Sequence, residues 1–151
     1  MSSKLQIKAS KDDSQIISAA HQIRDAVFIN EQGIDPALEY DGSDEGAVHY
    51  VGYIDAIPVV TARATITDQG VHIQRVATVK SARTNGYASQ LLTQLMTDFD
   101  PLTSDLAEPQ FYLGAQLMAL PFYKRLGFQA TGPVFMEAGI QHQLLILKIK
   151  Q

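Results

Sequence analysis

The chain has 151 residues and a formal net charge of −4, a balance that argues against a general binder of nucleic acid or of anionic membrane surfaces. It has no cysteine, which removes disulfides, thiolate metal sites and a cysteine nucleophile from consideration. With 46% hydrophobic and 19% charged residues it reads as one globular domain over residues 1–151. The opening MSSKLQIKAS lacks an uninterrupted apolar run, and no stretch approaches the roughly 20 apolar residues of a membrane span, so a cytoplasmic location is the default expectation.

Leu5–Ala9 alternates apolar and polar residues and predicts a half-buried strand. Ser10–Asp13 then supplies capping residues. Ile16, Ile17, Ala20, Ile23, Ala26 and Val27 recur at helical spacing, predicting a helix over about residues 13–30 that closes near Gly33. Residues 33–47, GIDPALEYDGSDEGA, read as a loop rich in Gly, Pro and acid. It is either a solvated connector or an acidic rim facing a cationic substrate. Val48–Ile54 and Ile57–Ile66 form a hairpin across the tight Asp55-Ala56 turn, and a further turn at Asp68-Gln69-Gly70 leads to a strand over Val71–Val79.

The segment Arg83-Thr84-Asn85-Gly86-Tyr87-Ala88 follows that strand and precedes a helix over Tyr87–Phe99, whose Ala88, Leu91, Leu92, Leu95, Met96 and Phe99 share an apolar face. A strand, a small polar loop and a helix N-terminus make an anion cradle, because the first N–H groups of a helix have no intrahelical acceptor. The loop matches neither G-x-x-x-x-G-K-[ST] nor G-x-G-x-x-G, so the common nucleotide fingerprints do not apply. After a polar connector at Pro101–Pro109 come a strand over Gln110–Gln116 and an amphipathic helix over Leu117–Leu126 that ends at Gly127. A closing hairpin of Phe128–Glu137 and His142–Ile149 flanks Ala138–Gln141. The order β-α-β-β-β-α-β-α-β-β predicts an α/β class, with a mixed twisted sheet covered by helices.

Three motifs in this order carry a family resemblance. Val76-Ala77-Thr78 followed by Arg83–Ala88 resembles the Q/R-x-x-G-x-G/A pyrophosphate loop of the GNAT N-acetyltransferases. Leu113–Gln116 followed by Pro121-Phe122-Tyr123-Lys124-Arg125-Leu126-Gly127-Phe128 resembles the family's strand and FYxxxGF signature. Arg24-Asp25-Ala26-Val27-Phe28 with Glu31-Gln32, then Glu39-Tyr40-Asp41 and His49, and finally Glu137-Ala138-Gly139-Ile140-Gln141-His142, resemble the R-x-x-V-F-x-x-E-Q and E-x-G-I-x-H motifs of its ElaA/YjcF-like subgroup. Thr84 and Ala88 stand where R-G-x-G-x-G members carry glycine. Ala88 stays within the family's Gly/Ala choice, and Thr84 still offers its backbone N–H.

The resemblance implies acetyl-CoA as co-substrate, no metal, and transfer of the acetyl group to a primary amine of a small molecule such as an amino sugar, polyamine or amino-acid-like compound. It implies backbone bonds from Val76, Ala77 and Thr78 to the pantetheine and acetyl carbonyl, and a pyrophosphate held by Arg83, Thr84, Asn85, Gly86, Tyr87, Ala88 and Ser89. Tyr123 matches the tyrosine that donates to the coenzyme sulfur; its alternative is a packed aromatic beside Phe122. The general base is open among Glu31, Glu39, Asp41, His49, Glu137 and His142, with Glu31 and His142 taken forward and the histidines favoured by their near-neutral pKa. Gln74, Arg75 and Gln116 are candidates to line the acceptor pocket. Two other functions stay open, acetylation of a protein or peptide amine and a non-catalytic acyl-CoA-binding module. A homodimer is kept open as the assembly.

Overall fold

The structure, a computed structural model, describes residues 4–149. Strand β1 (Gln6–Ser10) leads to helix α1 (Ser14–Arg24), whose N-cap Asp13 accepts the amides of Gln15 at 2.9 Å and Ile16 at 3.3 Å. The helix predicted to residue 30 does not stay α. Asp25–Glu31 winds into a π-helix in which Gln32 N donates to Val27 O at 3.0 Å, and this wider turn buries both Val27 and Phe28. The predicted loop over 33–47 contains a one-turn helix, α2 (Pro36–Glu39), with Pro36 in its first turn and Asp35 capping Ala37 N.

Next come β2 (Val48–Ile54), β3 (Ile57–Thr67) and β4 (Gly70–Thr78). The β2–β3 turn places Asp55 and Ala56 at φ 50° and 66°, as a tight hairpin turn requires. A 3₁₀ turn at Lys80–Ala82 precedes α3 (Tyr87–Phe99), and another at Asp100–Thr103 shortens the predicted polar connector. Beyond β5 (Gln110–Gln116), the predicted helix over 117–126 divides into a 3₁₀ turn at Leu117–Ala119 and α4 (Leu120–Arg125), with Pro121 in the first turn of α4. Strands β6 (Gln129–Glu137) and β7 (Ile140–Lys148) close the chain across a turn shorter than predicted: only Ala138 and Gly139 lie between them, at φ 52° and 75°.

The seven strands form one mixed sheet in the order β1-β2-β3-β4-β5-β7-β6, the α/β class expected. Pairing is antiparallel for β1–β2, β2–β3, β5–β7 and β6–β7, and parallel for β4–β5, where the register covers Val71 with Phe111 and His72 with Tyr112.

Two compact units divide the chain. The first comprises the N-terminal part to Thr65 with Arg75–Leu95. Its core packs Ile16, Ala20 and Ile23 of α1 with Val27, Phe28, Val51 and Ala77. The second comprises Ile66–Gln74 and Met96 onward, with Val71, Ile73, Phe111, Leu113, Ala115, Phe128 and Leu145 buried. No helix of the described residues is long and apolar enough to cross a membrane.

Candidate active site

In the first unit, β4 delivers the chain to the predicted anion loop. Arg75 has φ 56°, which breaks the extended geometry of β4 just before Val76, Ala77 and Thr78. Val79 N is tied to Val59 O at 2.9 Å, and the chain then turns through Lys80–Ala82 into Arg83. Thr84 and Gly86 are both left-handed, at φ 68° and 78°. Glycine adopts this conformation freely, whereas a β-branched threonine does so at a cost of about 1–2 kcal/mol.

Side-chain bonds brace the loop from inside. Asn85 Nδ2 donates to Ala82 O at 3.0 Å and to Arg83 O at 3.2 Å, and Thr84 Oγ1 donates to Arg83 O at 2.5 Å. Gln90 N reaches back to Gly86 O at 3.1 Å, so Tyr87, Ala88 and Ser89 form the first turn of α3. A Cβ built on Gly86 meets nothing within 4 Å, which leaves the backbone there open to approach.

Arg83 is already engaged. Its Nε donates to Thr78 O at 3.0 Å, while Nη1 and Nη2 grip Glu31 Oε2 and Oε1 at 2.6 and 2.5 Å. This is a bidentate fork, the strong form of an arginine–carboxylate pair. The hydrogen bond from Arg83 holds the Glu31 carboxyl below its ordinary range, and the same bond raises the guanidinium. Glu31 is thereby a committed anion, a poor starting point for the base role the sequence suggested. It lies at the end of the π-helix, 52 positions from Arg83 in the chain.

Of the acids of the 33–47 segment, Glu39 and Asp44 are drawn into internal ion pairs, while Asp35, Asp41 and Glu45 are exposed. Glu39 is 2% exposed and accepts from Arg24 Nε at 2.9 Å and Nη2 at 2.8 Å. Arg75 adds bonds from Nη2 to Glu39 O at 3.1 Å and Leu38 O at 3.3 Å. Its Nε stands 3.0 Å from Glu39 Oε1 but off the hydrogen-bonding direction, so that contact is charge–charge attraction without a formed bond.

Asp44 Oδ1 receives Arg24 Nη1 at 2.7 Å and Arg63 Nη1 at 2.6 Å, while Oδ2 meets His21 Nε2 at 2.9 Å. Burial opposes its ionisation, but these cations outweigh it and hold the carboxyl far below the usual range. Asp41 is likewise held low: partial burial works against the charge, and the Ser43 hydrogen bonds and Arg75 prevail. His49 is 1% exposed with Nε2 3.2 Å from Asp44 O, and burial lowers its pKa, so it sits as a neutral structural imidazole. Tyr40 donates its hydroxyl to Asp25, and burial first, then that carboxylate, raises the phenol.

The sequence shows Arg24 only as a motif residue and Arg63 only as a strand residue, and the pairing of both with these acids escaped its reading. The signal for Arg63 is an arginine inside VVTARATI, where an unpaired charge would be too costly to bury.

In the second unit Tyr123 sits on α4, buried edge-on between Phe122 at 4.9 Å and Phe128 at 5.9 Å. Burial raises its phenol, so it keeps its proton. His142 of β7 is 8% exposed, and its Nδ1 lies 2.7 Å from Ile140 O. A carbonyl only accepts, so Nδ1 carries the hydrogen and the lone pair of the neutral ring is on Nε2. Nε2 faces Glu137 Oε2 at 3.8 Å. Gln116 pairs with His142 across β5 and β7. No group of three or more His, Asp or Glu side chains able to hold a metal occurs among the described residues.

The chain as a whole has parallels in known proteins. The family model described as Acetyltransferase (GNAT) domain matches residues 7–148. The Bacillus subtilis (strain 168) N-acetyltransferase YjcF, itself uncharacterised, is 29% identical over 133 residues, spanning 87% of this chain and 91% of that protein. An acyl-CoA N-acyltransferase from Pseudomonas aeruginosa superposes with a TM-score of 0.82 at 27% identity, covering 95% of this chain and 99% of the other. Escherichia coli ElaA does so with a TM-score of 0.81 at 26% identity, covering 95% and 98%. The chain therefore belongs to the GNAT acetyltransferase family, within its ElaA/YjcF-like subgroup.

Proposed function

We propose that this acetyltransferase draws its acetyl group from acetyl-CoA and moves it to a primary amine of a small molecule. The observation that carries the reading is the Arg83–Ser89 loop. Left-handed Thr84 and Gly86 lead into the first turn of α3, over an open Gly86 backbone. That is the chemistry of a pyrophosphate seat: unpaired helix N–H groups, a positive helix end and no side chain in the way. The acyl-CoA chemistry in the name of the Pseudomonas relative supports the same reading.

Val76, Ala77 and Thr78 serve the pantetheine arm through their backbones, and Arg83 supplies charge to the phosphates with the N–H groups that Glu31 and Thr78 leave over. In direct transfer the amine nitrogen bonds to the thioester carbon as the carbon–sulfur bond breaks, the amine losing a proton to a base. The base is His142, whose Nε2 lone pair is held available by the Nδ1 bond to Ile140. Tyr123 serves the departing sulfur. A thiol with an ordinary pKa of about 8.5 is more acidic than a phenol raised above about 10, so Tyr123 stabilises the thiolate as a hydrogen-bond donor rather than surrendering its proton outright.

Calorimetric titration with acetyl-CoA, followed by a free-thiol release assay over an amine panel, tests the reading. Gly86→Glu puts a carboxylate at the pyrophosphate seat and is expected to weaken acetyl-CoA by at least tenfold, about 1.4 kcal/mol, with the fold retained. Unchanged affinity would remove the loop from the coenzyme site. Tight binding with no turnover on any amine would identify a non-catalytic acyl-CoA-binding module instead.

A further inference from the structure

Three paired strands of the second unit gather more chemistry than the base role of His142 uses. Register sets Gln116 of β5 opposite His142 of β7, and His142 opposite Phe135 of β6. Strand alternation then puts Gly114, Gln116, His142, Phe135 and Glu137 on one face. Gly114 is exposed on this face and carries no side chain, which leaves a shallow recess there. The recess has close walls: a Cβ on Gly114 would meet Phe135 Cζ at 3.0 Å and Glu137 Oε2 at 4.0 Å. Phe135 leaves apolar surface exposed, at 38%.

The geometry points to this recess as the seat of the acceptor amine, and to an alkylammonium bearing a flat apolar group as its chemical class. The inference rests on the acetyltransferase reading above and narrows its substrate. Glu137 Oε2 and His142 Nε2 are both acceptors and lie 3.8 Å apart. One nitrogen can stand about 2.8–3.0 Å from each of them at once, which is hydrogen-bonding distance to both. The carboxylate, 58% exposed, meets the incoming ammonium while the Phe135 ring seats the neighbouring apolar group.

The ammonium then passes one proton to Nε2, and its freed lone pair forms the new bond to the thioester carbon. The sulfur leaves with the electron pair of the broken bond and takes up the second proton that the nitrogen sheds as it becomes an amide, giving the free thiol, and His142 returns its own proton to solvent. A polyhydroxylated amine would turn hydroxyls against the apolar wall and gain nothing from it. Amino sugars are therefore disfavoured.

The test uses the whole chain with coenzyme A bound and two probes, 2-phenylethylamine and glucosamine. The ring signals of His142, assigned by their loss in His142→Gln, are followed by NMR. 2-Phenylethylamine is expected to shift them saturably, at least tenfold more weakly in Glu137→Gln, and glucosamine is expected to leave them unmoved. With acetyl-CoA, Glu137→Gln should raise the KM for 2-phenylethylamine about tenfold. His142→Gln should lower kcat about a hundredfold, the usual scale for a lost general base. Both variants should bind acetyl-CoA as the parent does, which separates these effects from misfolding. No saturable shift, equal affinity in Glu137→Gln or equal kcat in His142→Gln overturns the subsite. If the parent chain fails to bind acetyl-CoA at all, the acetyltransferase reading falls with it; normal coenzyme binding without an amine response removes the subsite alone.

Discussion

Glu39→Gln offers a sharp stability test because the change is nearly isosteric and the site is nearly dry. The Glu39 side chain is 1% exposed, as is its partner Arg24. Replacing one carboxylate oxygen by an amide turns an acceptor into a donor facing guanidinium N–H groups. Asp44, shared with Arg63 and His21, is then the only anion left to Arg24. Removing one partner from a buried ion pair costs about 3–5 kcal/mol, since the remaining charge stays desolvated.

In a chain of 150 or so residues each kcal/mol lowers Tm by about 2–4 °C, so a fall of roughly 10 °C is expected. Urea unfolding, with a slope of about 2 kcal/mol/M, should show a midpoint lower by about 2 M. Glu137→Gln, at an exposed carboxylate, is the control and should change stability by no more than about 0.5 kcal/mol. A Glu39→Gln variant within about 1 kcal/mol of the parent would mean that Arg24 and Arg75 are not desolvated around it, and the buried-network argument would fall.

Glu31→Gln should tighten acetyl-CoA binding about two- to fivefold, because it removes an anion that competes with the phosphates for Arg83. The gain is limited to about 0.5–1 kcal/mol by the exposure of the pair. Weaker binding by calorimetry would show instead that Glu31 positions Arg83. Asp44 has a folded pKa below its unfolded value, so its stabilisation is complete above about pH 4 and is lost as pH falls from there. In acid titrations followed by circular dichroism, Asp44→Asn should be less stable than the parent at neutral pH and show a shallower loss below about pH 4. Parallel acid curves would exclude Asp44 as a source of acid sensitivity.

What the sequence made legible was local. The β4–loop–α3 segment, the β2–β3 turn and the FYKRLGF helix each carry their signal within about a dozen residues, in periodicity and turn chemistry. The π-helix at Asp25–Glu31 was hidden because its apolar residues still fit a helical period. The ion pairs were hidden for a different reason. Arg24 meets Glu39 and Asp44 from 15 and 20 positions away, and Arg83 meets Glu31 from 52. A pattern that scores arginine and glutamate as surface residues has no means of pairing them. The acidic stretch around Glu39–Asp44 therefore looked like an open rim, when the charges of Glu39 and Asp44 are spent on internal arginines.

The two-residue turn at Ala138-Gly139 acts as a ruler for the β6–β7 hairpin. Both residues are left-handed, the geometry of a primed hairpin turn, and their number fixes which side chains of the two strands emerge together. Adding one residue there would shift the register by one and turn a whole strand over, since side chains alternate faces. Glu137 and His142 would then project from opposite sides of the sheet, while the backbone ladder could re-form much as before. A single insertion in a solvent-facing turn is thus a route by which relatives of this chain could exchange one acceptor for another without touching the coenzyme loop.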